Sequence, residues 1–154
     1  MKRTVFSTGR TFIGRIPAGI DLLEAITRIA NEEEIKAGTV QVFGSVTGLS
    51  LTTFNQETRF NEEIRRDTGH DIAALSGTIS QFKRRSLARL SGVFVNSSGE
   101  TVAGTLALGT TVHACEAVIT EFTGGQLSRD FDMETGLPLW KNNTMLVESP
   151  AEDS

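Results

Sequence analysis

Residues 86–122, SLARLSGVFVNSSGETVAGTLALGTTVHACEAVITEF, decide the reading of this chain. Three runs rich in Val, Ile, Leu and Thr are separated by two turn signals, NSSGE at residues 96–100 and ALG at residues 107–109. Short β-favouring runs broken by Gly, Asn and Ser predict an antiparallel meander. The flanking sequence reads as packing around that sheet.

Upstream, residues 10–16 (RTFIGRI) are β-like, and Pro17-Ala18-Gly19 marks a turn. Asp21 followed three residues later by Glu24 has the form of a capping box, and Leu22, Leu23, Ile26, Ile29 and Ala30 recur at helical spacing. The helix is expected to fray through residues 31–34 and to stop by Gly38. Glu32, Glu33 and Glu34 cannot converge on one metal ion, because successive helical side chains point in different directions. Residues 39–54 predict one bent or bulged strand, or two short ones, interrupted at Gly44 and Gly48. Residues 55–69 are polar and read as a mobile excursion with a β-like patch around Arg59 and Phe60. Residues 71–80 return to strand character.

Downstream, residues 123–125 break the chain. Phe131, Leu137, Leu139 and Trp140 are the expected apolar anchors of the segment that follows, and residues 148–154 form an acidic tail expected to be disordered. The expected architecture is α/β in a single domain, mostly antiparallel β-sheet with one main helix and short peripheral helices. That domain covers residues 1–142, and residues 143–154 form the tail.

Length and composition narrow the function. A chain of 154 residues with 38% hydrophobic content suits one core of ordinary size. Its formal charge of −4 works against nucleic-acid binding by the surface as a whole, since phosphate recognition rests on cations. The single cysteine, Cys115, excludes an intrachain disulfide and a cysteine-based zinc cluster. Met1-Lys2-Arg3 leads into no apolar run of secretory type, and no segment reaches membrane-spanning length, so a cytoplasmic location is expected.

The order of these signals resembles a known family. IPAGIDLLEAI, EIKAGTVQVFGSVTGLSL, DIAALSGTIS, NSSGETVAGTL, VHACEAVI and METGLPLW together are similar to the plants-and-prokaryotes conserved (PPC) domain, also found in plant AT-hook proteins, over residues 10–140. The resemblance implies an α/β fold assembling as a homotrimer, and it offers DNA as a partner by analogy. It also implies a departure. Prokaryotic relatives carry an H-L-H triplet and a G-G-H-L segment suited to zinc; counted back from Gly104, these positions hold Arg89-Leu90-Ser91 and Thr105. None is a histidine, so neither a metal nor any other cofactor is expected. Glu116 matches a family glutamate. The plant partner-binding segment GRFEIL falls on residues 68–73 (TGHDIA), where only an acidic residue, Asp71, and Ile72 survive, and no R-G-R-P hook is present.

No catalytic group emerges from the residues themselves. His70 and His113 are 43 positions apart. On a regular strand His113 and Cys115 would share a face with Glu116 on the other, a poor geometry for one site. Cys115 reads as an apolar filler. There is no G-x-S-x-G elbow, and residues 104–109 lack the following helix that a phosphate cradle needs. The dense cations are Lys83, Arg84 and Arg85, with Arg89 nearby. They read either as charges that keep a β edge soluble or as contacts to DNA or a small anion. Two functions stand: a non-enzymatic trimeric DNA-binding or regulatory module using Lys83, Arg84, Arg85 and Arg89, or a small-anion (carboxylate or phosphate) binder or weak enzyme using Arg89, Ser91, Thr105 and Glu116. A trimer serving only to dock partners at its sheet edges is a third.

Overall fold

The computed structural model describes residues 3–146. Its order is β1 (Ser7–Ile16), α1 (Leu22–Glu32), β2 (Gly38–Phe54), β3 (Asn61–Arg66), β4 (His70–Phe82), β5 (Arg85–Val95), β6 (Thr101–Leu106), β7 (Thr111–Thr123), β8 (Ser128–Asp132) and β9 (Leu137–Lys141). Mostly antiparallel sheet with one helix is the architecture expected, although the short peripheral helices are absent among the described residues. The acidic tail at residues 148–154 lies outside them. Residues 143–146 run beside the N-terminal segment: Asn143 Nδ2 donates to Thr4 Oγ1 (3.1 Å) and Arg3 Nε to the Met145 carbonyl (2.7 Å).

β2 organises the sheet. Its first half pairs with β4 and β7, and its second half with β3 and β6, so that Leu51 stands between Ile64 and Leu106. The pairings β2–β4, β4–β5, β5–β6 and β6–β2 therefore close a ring. The expected three-stranded meander is thus only half formed. β5 and β6 make a hairpin, whereas β6 and β7 follow one another along β2. β2 accommodates this as one long strand with register shifts after Gln41 and Ser45, bulges that let it bend. Gly44, at φ +123°, sits where a Cβ would run into the Ala114 carbonyl.

β3 occupies residues 61–66, beyond the β-like patch expected at Arg59 and Phe60. Arg59 lies in the preceding turn at φ +61°, and Phe60 is 73% exposed. The strand NEEIRR lacks apolar alternation because it is an edge, paired on one side with β2 and covered by charge.

α1 packs against β5 over a core containing Leu22, Ile26, Ala30, Ile35, Val40, Leu90 and Phe94. Asp21 Oδ1 accepts from the Glu24 amide at 2.9 Å. Its Oδ2 accepts from the Gly109 amide at 2.6 Å, so the cap also ties the helix start to the β6–β7 connection. At the other end Ile35 N–H bonds to the Ala30 carbonyl and Glu34 N–H to that of Asn31, a Schellman closure with Glu34 at φ +53° where glycine is usual. The side-chain amide of Asn31 clamps α1 to β5, donating to the Ser86 carbonyl (2.9 Å) and accepting from the Ser86 amide (3.0 Å).

Candidate anion-binding site

Period-2 alternation places one set of side chains on the sheet's outer face. In register across the strands, one row reads Ile13, Val118, Gln41, Ser76, Ser91 and Thr105, and the next reads Thr11, Thr120, Thr39, Thr78 and Arg89. Arg89, Ser91 and Thr105 are thus neighbours, with Ser91 Oγ 3.3 Å from Thr105 Oγ1. Glu116 is on the same face but stands opposite Arg15 and Phe43, with β2 and β4 between it and Arg89. One guanidinium and two hydroxyls do not suit a divalent cation: the hydroxyls are weak neutral donors and the arginine repels the ion. Among the described residues, no group of three or more His, Cys, Asp or Glu side chains could hold a metal.

Arg129, on β8, is a residue that sequence reasoning missed. It lies half-buried across β4, where Nε donates to Ser80 Oγ (3.1 Å), Nη1 to the Pro138 carbonyl (3.0 Å) and Nη2 to Thr78 Oγ1 (3.3 Å). Its guanidinium sits 5.2 Å from the centre of the Trp140 ring. Desolvation by burial and then the charge of Arg89 lower its pKa from the ordinary value. Of the four expected anchors, Leu137 is half-buried, whereas Phe131, Leu139 and Trp140 are 59%, 42% and 40% exposed. The β8–β9 hairpin lies on the rim, and the sequence contains no local signal that it covers β4.

The cationic triplet forms the β4–β5 turn. Phe82 and Arg85 are the last register pair, leaving Lys83 and Arg84 as a two-residue loop at φ +49° and +65°. Two positive φ values in such a loop make a type I′ turn, for which Asn-Gly is the comfortable sequence. Here two long cations occupy it at a cost of about 1 kcal/mol each. All three side chains are exposed, and Lys83 Nζ lies 5.3 Å from the centre of the Phe82 ring.

His113 and Cys115 do not share a face. Ser45 pairs with Ala114 and Val46 with Val112, so His113 is the extra residue of a bulge; it is exposed while Cys115 is buried. Burial pushes the Cys115 thiol up, and its Sγ donates to the Ser45 carbonyl (3.3 Å). The bulge also brings His113 Nδ1 within 2.8 Å of Ser45 Oγ, a pair with the reach of a nucleophile and its base. Among the described residues no side chain orients the ring from Nε2, which a working dyad requires. His70 is buried, with Nδ1 donating to the Thr68 carbonyl (2.9 Å).

The model of the Plants and Prokaryotes Conserved (PCC) domain matches residues 3–123. The chain belongs to this family. A metal-containing protein of Archaeoglobus fulgidus has a similar structure at 28% identity, covering 92% of this chain and 99% of its own, with a TM-score of 0.86. A PPC protein of Pyrococcus horikoshii does so at 24% identity, with 92% and 97% covered and a TM-score of 0.86. A candidate DNA-binding protein of Bacteroides thetaiotaomicron follows at 22% identity, with 88% and 96% covered and a TM-score of 0.79. Among curated proteins, none matches the sequence. Within this family fold, Arg89, Ser91 and Thr105 stand side by side on the outer face of the sheet.

Proposed function

We propose that this PPC-domain chain is a non-enzymatic, homotrimeric regulatory module that contacts DNA phosphates through Lys83, Arg84 and Arg85. The carrying observation is the β4–β5 turn, where two consecutive cations occupy left-handed backbone that Asn-Gly would adopt without strain. Two structurally similar proteins, from Bacteroides thetaiotaomicron and Ralstonia eutropha, are described as candidate DNA-binding proteins. The trimer supplies what one acidic chain lacks, because three turns at fixed spacing act by avidity. It also gives a cover to the outer face, where Ile13, Phe43 and Val93 are 77%, 53% and 38% exposed. No helix among the described residues is long and apolar enough to cross a membrane.

Fluorescence anisotropy with a labelled duplex tests the reading. We expect affinity that falls steeply with salt and is lost when Lys83, Arg84 and Arg85 are neutralised. Salt-independent binding, or none at low salt, removes DNA as the partner. Light scattering tests the assembly: wild type should have about three times the 16.7 kDa chain mass, and Phe43→Glu should be monomeric. A second reading, a small-anion binder, is favoured by Arg89 and Arg129 flanking Thr78; it keeps Ser91 and Thr105 beside Arg89 and leaves Glu116 at a distance.

A further inference from the structure

Arg89 and Arg129 present a charge imbalance that the hairpin does not explain. Arg89 stands opposite Thr78 in the β4–β5 register, and Arg129 Nη2 donates to the Thr78 hydroxyl, so two guanidiniums flank one threonine. Among the described residues, neither is ion-paired to a carboxylate. Every hydrogen bond that Arg129 makes goes to a neutral oxygen. Guanidiniums drawn out of water are ordinarily balanced by an anion, because neutral oxygens and an aromatic face replace only part of the lost hydration.

A cavity of about 250 Å³ adjoins Thr78 on its β2 side, opposite the β5 side from which Arg89 approaches, and neither guanidinium forms part of its wall. Its wall is mainly apolar, with Phe6, Phe122, Leu127, Trp140 and Met145, and it includes Thr78. Thr78 and Trp140 therefore belong both to the cavity wall and to the surroundings of Arg129. A cavity of ~150 Å³ takes a benzene ring, so this one accommodates a body on the order of ten carbon atoms. Apolar space one threonine away from an unbalanced cationic pair is the pattern of a small-molecule site, in which the cavity supplies area and a few polar groups fix orientation.

We infer that this site binds a small amphiphilic carboxylate, its apolar body in the cavity between Phe122 and Trp140 and its carboxylate held between Arg89 and Arg129. The inference rests on the small-anion reading and deepens it by naming the ligand class. It stands independently of whether the hairpin contacts DNA. A guanidinium offers a planar pair of donors that matches a carboxylate, and charge-assisted hydrogen bonds of this kind are about twice as strong as neutral ones. The cavity selects against acetate and inorganic phosphate, which leave its apolar wall unfilled.

Isothermal titration of the full chain with 4-phenylbutyrate, 4-phenylbutyramide, acetate and inorganic phosphate tests the inference. Saturable binding of one 4-phenylbutyrate per chain is expected, with the amide, acetate and phosphate each at least tenfold weaker. Arg129 holds β8 on β4 through two hydrogen bonds and braces β9 through a third, so its removal risks unfolding, and the variants are placed elsewhere. Arg89→Gln should weaken 4-phenylbutyrate at least tenfold. Thr144→Trp, at an exposed position on the cavity wall, should block it while leaving the far-ultraviolet circular dichroism and the urea midpoint unchanged. An amide as tight as the acid, or binding unaffected by Arg89→Gln or by Thr144→Trp, overturns the site. Acetate or phosphate matching 4-phenylbutyrate, with dependence on Arg89, retains a small-anion binder and overturns the amphiphile. If no probe binds at millimolar concentration, both fall.

Discussion

Replacing Lys83-Arg84 by Asn-Gly separates what the β4–β5 turn does for folding from what it does for binding. Both native residues sit at positive φ, +49° and +65°, in a two-residue loop closed by Phe82 and Arg85. Relief of the left-handed strain is worth about 1 kcal/mol per residue, complete for glycine and partial for asparagine. Against it stand the lost Lys83–Phe82 contact at 5.3 Å, ~0.5 kcal/mol at an exposed site, and the greater chain entropy that glycine gives the unfolded state, ~0.5–1 kcal/mol. The net expectation is a gain of about 0.5 kcal/mol, which raises Tm by roughly 1–2 °C for a domain of this size. Urea melts at one fixed protomer concentration read the stability, since assembly makes the midpoint concentration-dependent. In DNA titrations the same substitution should lower the slope of log affinity against log salt by about 0.9 for each phosphate contact removed. A matched control, Arg15→Gln with Arg66→Gln, removes equal charge at exposed positions on β1 and β3, strands that pair with neither β4 nor β5. A less stable Asn-Gly variant refutes the strain argument. An unchanged salt slope, or an equal change in the control, refutes the hairpin as the DNA contact.

Three further expectations concern the scaffold. Asn31→Ala should destabilise the fold by about 1–3 kcal/mol in denaturant melts, because it leaves the Ser86 amide and carbonyl without the partners that tie α1 to β5; a loss below 0.5 kcal/mol would mean that water replaces the clamp. Glu121 accepts hydrogen bonds from the Arg10 guanidinium at 3.0 Å, which hold its carboxyl below the ordinary value of 4.5. A carboxylate with a depressed folded pKa stabilises above its unfolded value and loses that contribution as pH falls through the folded one, so Glu121→Gln should flatten the stability–pH curve on the acid side of 4.5. Equal slopes for the two proteins would remove this role. Cys115, 1% exposed and with its thiol pushed up by burial, should resist iodoacetamide at pH 8 until the protein unfolds; rapid alkylation of the native protein would show that β7 opens.

Local patterns carried much of the architecture. The alternating runs of β5, β6 and β7, the apolar stripe of α1 and the Asp21 cap depend on contacts within a few residues, and all are legible in the sequence. β3 escaped because an edge strand needs no apolar alternation, and residues 61–66 read as loop. His113 and Cys115 were assigned one face because strict period 2 cannot anticipate a bulge. Of the candidate site, Arg89, Ser91 and Thr105 were placed together through alignment on Gly104, and register confirms their proximity. The separation of Glu116 from them required the strand order.

The amino-acid order by itself determined β1, β2 and β4 to β7, the main helix and the family, because each of these is written in neighbouring residues. Tertiary structure alone decided that β2 closes a ring, that Arg129 is laid beside Arg89, and that an apolar cavity adjoins the threonine between them. Those features join segments far apart in the chain, Leu51 with Leu106 and Arg89 with Arg129 among them, and chain folding, rather than local propensity, sets which charges meet and which remain unbalanced.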